Sequence, residues 1–120
     1  MDYINLDVWI ETRKLANLVY NQTKKFPKEE VFGITNQIRR CAVSIPSNIA
    51  EGCGRNTSKE TVHFLFIARG SLYELETQIY LTADQNYINN VDFEEILNQI
   101  TLSKKLLNGF INYYRNKNEK

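Results

Sequence analysis

The sequence is poor in the residues that build metal centres and disulfide frameworks. Its 120 residues contain one histidine, two cysteines, two prolines and five glycines. One histidine and two cysteines cannot supply the four ligands of a zinc site within one chain, so we expect no metal and no other cofactor. The low proline and glycine content excludes collagen-like and low-complexity chains.

Charge and hydrophobicity do not single out a partner either. Fifteen basic and fourteen acidic side chains leave a net charge of +1, which is not the excess typical of a nucleic-acid-binding domain. Apolar runs such as 64–68 are far shorter than the roughly 20 residues of a membrane span. The first residues also lack the basic and apolar segments of a secretory signal. We therefore expect a cytoplasmic protein without membrane contact.

The two cysteines are expected to stay unpaired. Cys41 and Cys53 lie on one predicted helix, and twelve residues of helix rise about 18 Å. That separation is beyond disulfide reach, and a reducing cytosol disfavours a bond between chains.

What the sequence does contain is helical periodicity. Apolar residues recur at spacings of three and four, and no segment alternates like a strand. Long helices with short connections predict a single all-α domain over 1–120, an antiparallel up-down-up-down four-helix bundle. The predicted helices cover about 7–25, 28–53, 58–85 and 91–115, and 116–120 are expected to form a solvated tail.

Local signals predict several details of these helices. Thr57 and Glu60 form a capping box at the start of the third helix. Pro46 stands within the second helix, whose apolar pattern keeps its phase across it, so we favour a kinked helix over a break at 44–47. The predicted core of the third helix is Leu65, Ala68, Leu72, Leu75, Ile79 and Thr82.

The third predicted helix carries more apolar surface than one bundle can bury. Beside its main seam, aromatic side chains recur on further stripes of the same helix. Such stripes suggest a subunit interface; alternatively, large aromatics only widen the core. We favour oligomerisation, with the candidate interface residues Phe64, Phe66, Tyr73 and Tyr80.

Short motifs do not support an enzyme. Glu60 and His63 match the Glu-x-x-His motif of di-iron bundles, but the full site needs two such motifs and two further glutamates. Residues 52–54 follow a predicted helix and lack the third glycine of a dinucleotide loop. Nothing places the only histidine beside Cys53 to activate it. No catalytic residue is predicted.

A polar stripe on the second and third helices stands out. Its members share helix faces with apolar neighbours, as in a half-buried hydrogen-bonded network. The predicted structural network is Arg40, Ser44, Asn48, Glu51, Arg69, Ser71 and Glu74. The alternative is a ligand or phosphate site that uses Arg39, Arg40, Arg55 and Arg69. We favour the structural role, because charges on mixed faces usually pair internally.

One long run in the second helix is unusual. It reads Ser44-Ile45-Pro46-Ser47-Asn48-Ile49-Ala50-Glu51-Gly52, accompanied by Leu6-x-Val8-Trp9, Phe26-Pro27, Gln37-x-Arg39-Arg40, Phe64-Leu65, Ala68-Arg69-Gly70-Ser71 and Glu74-Leu75-Glu76-Thr77. At these residues the chain resembles the bacterial family encoded by intervening sequences within 23S ribosomal RNA genes, also labelled S23 ribosomal protein. Cys53 and Asn86 depart from the family pattern, in which an aromatic residue and a glycine are typical.

The resemblance carries expectations of its own. It implies a four-helix bundle without enzymatic activity that assembles as a homopentameric ring. The family is also similar to the accessory variability protein of diversity-generating retroelements, a ring with a basic surface that binds nucleic acid and a reverse transcriptase. The ribosomal label reflects gene location and does not make the chain a ribosomal component.

Two functions follow as hypotheses. The first is a ring that binds RNA or DNA through local basic residues, although scattered lysines also occur on ordinary solvated faces. The candidates are Arg13, Lys14, Lys24, Lys25, Lys28, Arg39, Arg40, Arg55, Lys104 and Lys105. The second is a scaffold for a protein partner such as a reverse transcriptase, without direct nucleic-acid binding, that uses tyrosine-rich surfaces. We favour the first.

Overall fold

Four long helices pack side by side in the computed structural model, which describes residues 2–118. They are α1 (Asp7–Thr23), α2 (Ile34–Cys53), α3 (Ser58–Asp84) and α4 (Asn90–Asn118), with short 3-10 turns at Tyr3–Asn5 and Lys28–Glu30. Both α1 and α3 pack against α2 and α4, so α1 and α3 lie diagonally across the bundle. The described residues contain no strand, and the predicted all-α four-helix bundle is confirmed.

The core follows the predicted apolar seams. All six predicted core positions of α3 are buried, from Leu65 at 0% exposure to Thr82 at 1%. They meet buried apolar side chains at spacings of three, four or seven from the other three helices. These are Val8, Leu15, Val19, Ile38, Ala42, Ile45, Ile49, Ile96, Ile100, Leu107 and Ile111.

The capping box at the start of α3 is confirmed. The Thr57 hydroxyl accepts a hydrogen bond from the Glu60 amide at 3.2 Å, and the Glu60 carboxylate accepts one from the Thr57 amide at 3.3 Å. Both bonds satisfy amides that have no partner within the helix.

The predicted start of the second helix is wrong. Lys28–Glu30 form a separate 3-10 turn, and α2 begins only at Ile34. Gly33 precedes it with φ −108° and ψ −122°, outside the α region, so the chain cannot run as one helix from 28. The first helix also ends two residues early, at Thr23.

The predicted C-terminal tail is partly wrong as well, because α4 continues through Asn118. Arg115 and Lys117 lie in its last turn, where positive charge is favoured by the helix dipole. Residues 119–120 lie outside the described part of the chain.

Pro46 lies inside a continuous α2, so the alternative of two separate helices is wrong. The expected kink remains a prediction. Side chains on the same helix supply additional hydrogen bonds around the proline. Asn48 Nδ2 donates to the Ser44 carbonyl at 2.7 Å, and Ser44 Oγ donates to the Cys41 carbonyl at 2.6 Å.

Candidate functional site

A basic groove runs between α1 and α2. It consists of two separate concavities of about 470 and 280 Å³, each lined by residues of both helices. Lys24, Lys28 and Arg39 line the first, and Arg13 lines the second. No acidic residue of the described chain lines either one. We call the two together the α1–α2 groove.

Aromatic rings hold both arginines of this groove. The Arg13 guanidinium carbon lies 5.4 Å from the Trp9 ring centroid, and that of Arg39 lies 4.9 Å from the Tyr20 centroid. Arg39 Nε also donates to Thr23 Oγ1 at 2.8 Å. Stacking on a ring leaves the guanidinium edge free to donate hydrogen bonds, so both arginines are positioned to bind an anion.

The ten predicted nucleic-acid-binding residues divide into a paired and an unpaired group. Lys14, Lys25, Arg55 and Lys104 form ion pairs with Glu11, Asp92, Glu51 and Glu76 at 2.8–3.3 Å. Within residues 2–118, the six others have no ion-pair partner: Arg13, Lys24, Lys28, Arg39, Arg40 and Lys105. Four of these six line the α1–α2 groove.

The predicted polar network is brought together only in part. The hydroxyls of Ser44 on α2 and Ser71 on α3 hydrogen-bond at 2.8 Å. Arg69 instead donates to Asn108 of α4 at 3.3 Å, and Glu51 pairs with Arg55 on its own helix.

Arg40 and Glu74 line one shallow groove between α2 and α3. In the part of the chain that the structure describes, no ion pair joins them.

The Cys41 thiol lies inside this α2–α3 contact. It donates to the Ser71 carbonyl at 3.1 Å and lies 3.6 Å from a Glu74 carboxylate oxygen. Burial, followed by the negative charge of Glu74, raises the pKa of Cys41 to about 12. Burial also raises the pKa of the Cys53 thiol. Neither thiol is an activated nucleophile, since nucleophilic cysteines need a lowered pKa.

His63 is exposed beside the Phe64 ring. Among residues 2–118, no three histidine, cysteine or acidic side chains are grouped as metal ligands would be. Over the same range, no helix is long and apolar enough to cross a membrane.

The outward face of α3 is largely uncharged. Eight residues between 66 and 81 are exposed, and Glu74 is the one charged member. The face is defined by Phe66, Ile67, Gly70, Tyr73, Glu74, Thr77, Tyr80 and Leu81. Half of Tyr73 and half of Tyr80 are exposed, 51% each. We call this surface the α3 outer face.

Three of the four predicted interface residues lie on the α3 outer face, each beside a residue of α4. Lys104 Nζ lies 4.4 Å from the Tyr73 ring, Phe93 lies 5.3 Å from Tyr80, and Arg115 lies 6.0 Å from Phe66. The fourth, Phe64, is half-buried on the α2 side, with the Arg55 guanidinium 4.4 Å from its ring.

Two features of the surface were missed from the sequence. Phe32, between the 3-10 turn and α2, is 93% exposed; the following Gly33 was the available sign that the helix had not yet begun. Arg115 and Arg69 meet at the Phe66 ring, at 6.0 and 4.8 Å. Helical periodicity carries no signal for a contact between separate helices.

Comparison with known proteins identifies the family. The sequence profile described as 23S rRNA-intervening sequence protein matches residues 4–109. The chain belongs to this family. No curated protein matches it in sequence.

A solved structure agrees with this assignment. It is a crystal structure from Bacteroides thetaiotaomicron VPI-5482, described as a protein with unknown function from the S23 ribosomal protein family. The match has a TM-score of 0.80 at 28% identity and covers 87% of this chain and 97% of that chain. The resemblance inferred from the motifs is therefore confirmed, and with it the four-helix fold.

Proposed function

We propose that this family member is a non-enzymatic cytoplasmic protein that self-associates through the α3 outer face and binds nucleic-acid phosphates along the α1–α2 groove. The observation that carries the binding function is the groove itself, in which four cations line the two concavities without an acidic side chain among the described residues. The family resemblance favours five subunits in a ring.

Self-association rests on exposed aromatic and aliphatic area. Phe66, Ile67, Tyr73, Tyr80 and Leu81 are 38–51% exposed along one helix. Aromatic residues are enriched and charged residues depleted at the centres of protein interfaces, which is the composition of this face. Burying such area contributes roughly 25 cal/mol per Å² of apolar surface.

Nucleic-acid binding rests on local rather than net charge. The chain's net charge of +1 is small, but the groove concentrates its cations and excludes acids. Affinity for a phosphate backbone rises with each phosphate neutralised, and a ring would present the groove once per subunit. Because α1 lies diagonally opposite α3, the groove does not overlap the α3 outer face.

Light scattering after size exclusion at low salt, with absorbance at 260 and 280 nm, tests both parts. We expect a mass several times that of the 14.1 kDa chain. We also expect a high 260/280 nm absorbance ratio from bound nucleic acid, which falls to that of protein at high salt. Tyr73→Glu should reduce the mass, because it places a charge at the middle of the face. A monomeric wild-type protein would refute the self-association.

A matched pair of variants tests the groove. Arg13→Gln should lower the slope of log affinity against log salt by about 0.7–0.9 for a single-stranded or duplex probe. Lys105→Gln is the control, since Lys105 lies on α4 outside the groove and has no ion-pair partner among residues 2–118. Equal effects of the two substitutions would show that the groove is not the binding surface.

The second candidate function is a scaffold for a protein partner such as a reverse transcriptase. A cluster of aromatic rings near the end of α4 favours it, because Phe110, Tyr113 and Tyr114 have centroids 5.0–6.5 Å apart and Tyr113 is 50% exposed. Two results together would favour this function over the first. The purified ring would have the 260/280 nm absorbance ratio of protein free of nucleic acid, and its affinity for the partner would change little with salt concentration.

A further inference from the structure

We propose that the larger concavity of the groove is a specific pocket for a phosphate monoester of mononucleotide size. We call it the end pocket; it lies where α1 ends and the 3-10 turn meets α2, and its lining residues are Thr23, Lys24, Phe26, Pro27, Lys28, Val31, Thr35 and Arg39. The ligand could be the phosphorylated end of a strand or a free nucleotide, and the choice between them rests on the proposed nucleic-acid function. The pocket itself does not.

Arg39 is the central cation of the end pocket. Its Nε donates a hydrogen bond to Thr23 Oγ1 at 2.8 Å, and its guanidinium carbon lies over the Tyr20 ring, 4.9 Å from the centroid. The Thr23 hydroxyl in turn donates to the Val19 carbonyl at 2.8 Å. The terminal guanidinium nitrogens have no hydrogen-bond partner in the described chain. This leaves a fixed fork of N–H donors, the geometry that suits a phosphate or carboxylate.

Thr35 supplies an independent sign of a missing ligand. The residue lines the end pocket and is 4% exposed, yet its Oγ1 has no hydrogen-bond partner among residues 2–118. A buried hydroxyl without a partner is costly, so native structures rarely leave one. A phosphate oxygen bound beside Arg39 would provide the acceptor.

The charge around the pocket fits a dianion. Lys24 and Lys28 add two exposed cations to Arg39. No acidic residue of the described chain is among the lining residues, and Asp92 is paired with Lys25 at 3.2 Å. The anion would therefore meet three cations without competition from a carboxylate in the lining.

The volume and walls indicate more than inorganic phosphate. About 470 Å³ lies within the range of roughly 300–1,000 Å³ common for small-molecule pockets, and a bare phosphate would fill only part of it. Phe26, Pro27 and Val31 form an apolar wall. Such a wall suits the ring system of a nucleotide, which could pack against the Pro27 pyrrolidine and the Val31 side chain.

Calorimetric titration with AMP, inorganic phosphate and adenosine tests the pocket. AMP should bind more tightly than phosphate, and adenosine should bind at least tenfold more weakly than AMP, since it lacks the anion. Arg39→Gln should weaken AMP binding at least tenfold. Arg40→Gln should leave it unchanged, because this neighbouring exposed arginine lies outside the pocket.

Thr35→Val separates binding from folding. It replaces an unpartnered hydroxyl by a methyl group of the same shape, so the melting temperature should stay the same or rise while AMP affinity falls several-fold. No measurable AMP binding by the wild-type chain, or equal binding by the wild-type and Arg39→Gln proteins, would overturn the pocket.

A pair of oligonucleotides with one sequence identifies the source of the phosphate. Tighter binding of the 5′-phosphorylated strand than of the 5′-hydroxyl strand, with the preference lost in Arg39→Gln, supports the pocket with a strand end as its occupant. AMP binding without any oligonucleotide binding supports the pocket and refutes the nucleic-acid function. A third outcome is that oligonucleotides bind through the groove, AMP does not bind, and a 5′ phosphate makes no difference. This result refutes the pocket and leaves the nucleic-acid function standing.

Discussion

The end of α2 passes so close to α3 that Gly52 has no room for a side chain. A Cβ at this position would lie 3.1 Å from the Thr61 carbonyl oxygen and 3.1 Å from the Phe64 Cβ. Neither atom can rotate away, because the Thr61 oxygen belongs to the backbone and the Phe64 Cβ is bonded directly to its own Cα. The Thr61 hydroxyl also donates to the Gly52 carbonyl at 2.7 Å. Gly52→Ala should therefore push the two helices apart.

The size of the effect follows from two opposing terms. Overpacking a well-fitted contact costs about 1–3 kcal/mol, and replacing glycine by alanine in a helix recovers up to about 1 kcal/mol. Subtracting the gain from the cost, we expect Gly52→Ala to lower the free energy of unfolding by about 1 kcal/mol, and by about 2 kcal/mol at most, which lowers the melting temperature by several degrees.

Gly109→Ala is the matched control. Gly109 lies within α4, is exposed, and would present its Cβ to open space, with no atom of the described chain within 4 Å. Gly109→Ala should raise the free energy of unfolding by about 0.5–1 kcal/mol through helix propensity alone. Urea unfolding followed by circular dichroism, at one protein concentration, measures both variants. A Gly52→Ala midpoint at or above the wild-type value would refute the close-approach argument.

Three further predictions concern single side chains. With Cys53 replaced by serine, Cys41 should resist an aromatic disulfide reagent at pH 8 and react fully only in denaturant, since its pKa is about 12; rapid native labelling would contradict its burial. The Gln99 hydrogen bond holds the pKa of Glu11 below its ordinary value of 4.5, so the carboxylate stabilises the fold above that pH and this contribution is lost as the pH falls through the lowered value. Glu11→Gln should therefore flatten the fall in melting temperature between pH 6 and 3, and an unchanged profile would exclude the effect. Phe32→Ala should change the free energy of unfolding by no more than about 0.5 kcal/mol, because the ring is 93% exposed, so a lower mass in light scattering would place Phe32 in the assembly.

Much of the fold was predictable because its signals are local. Every predicted core position of α3 is buried, and the capping box of Thr57 and Glu60 forms as expected. Both depend on spacings of three or four residues along one helix, which the backbone geometry imposes. The start of α2 was missed because a glycine such as Gly33 permits the non-helical backbone that interrupts the helix but does not require it.

The candidate site was predictable only as an inventory of residue types. Basic residues were identified along the chain, but nothing in their spacing separates Arg39, which lines the end pocket, from Arg40, which faces the α2–α3 groove. Likewise, Glu51 shares a stripe with Ser44, and Arg69 lies two residues from Ser71, but both find other partners. Periodicity defines the face of a helix; it does not define which side chain of another helix lies opposite.

The sequence by itself therefore determined the four helices, their buried seams and the family, since these depend on local spacing and on a long continuous motif. The tertiary structure decided which cations remain unpaired, which aromatic residues stay exposed and where Thr35 is buried without a partner. Those properties depend on how the helices pack at particular heights and rotations, and packing brings together residues such as Thr23 and Arg39 that no short-range pattern connects.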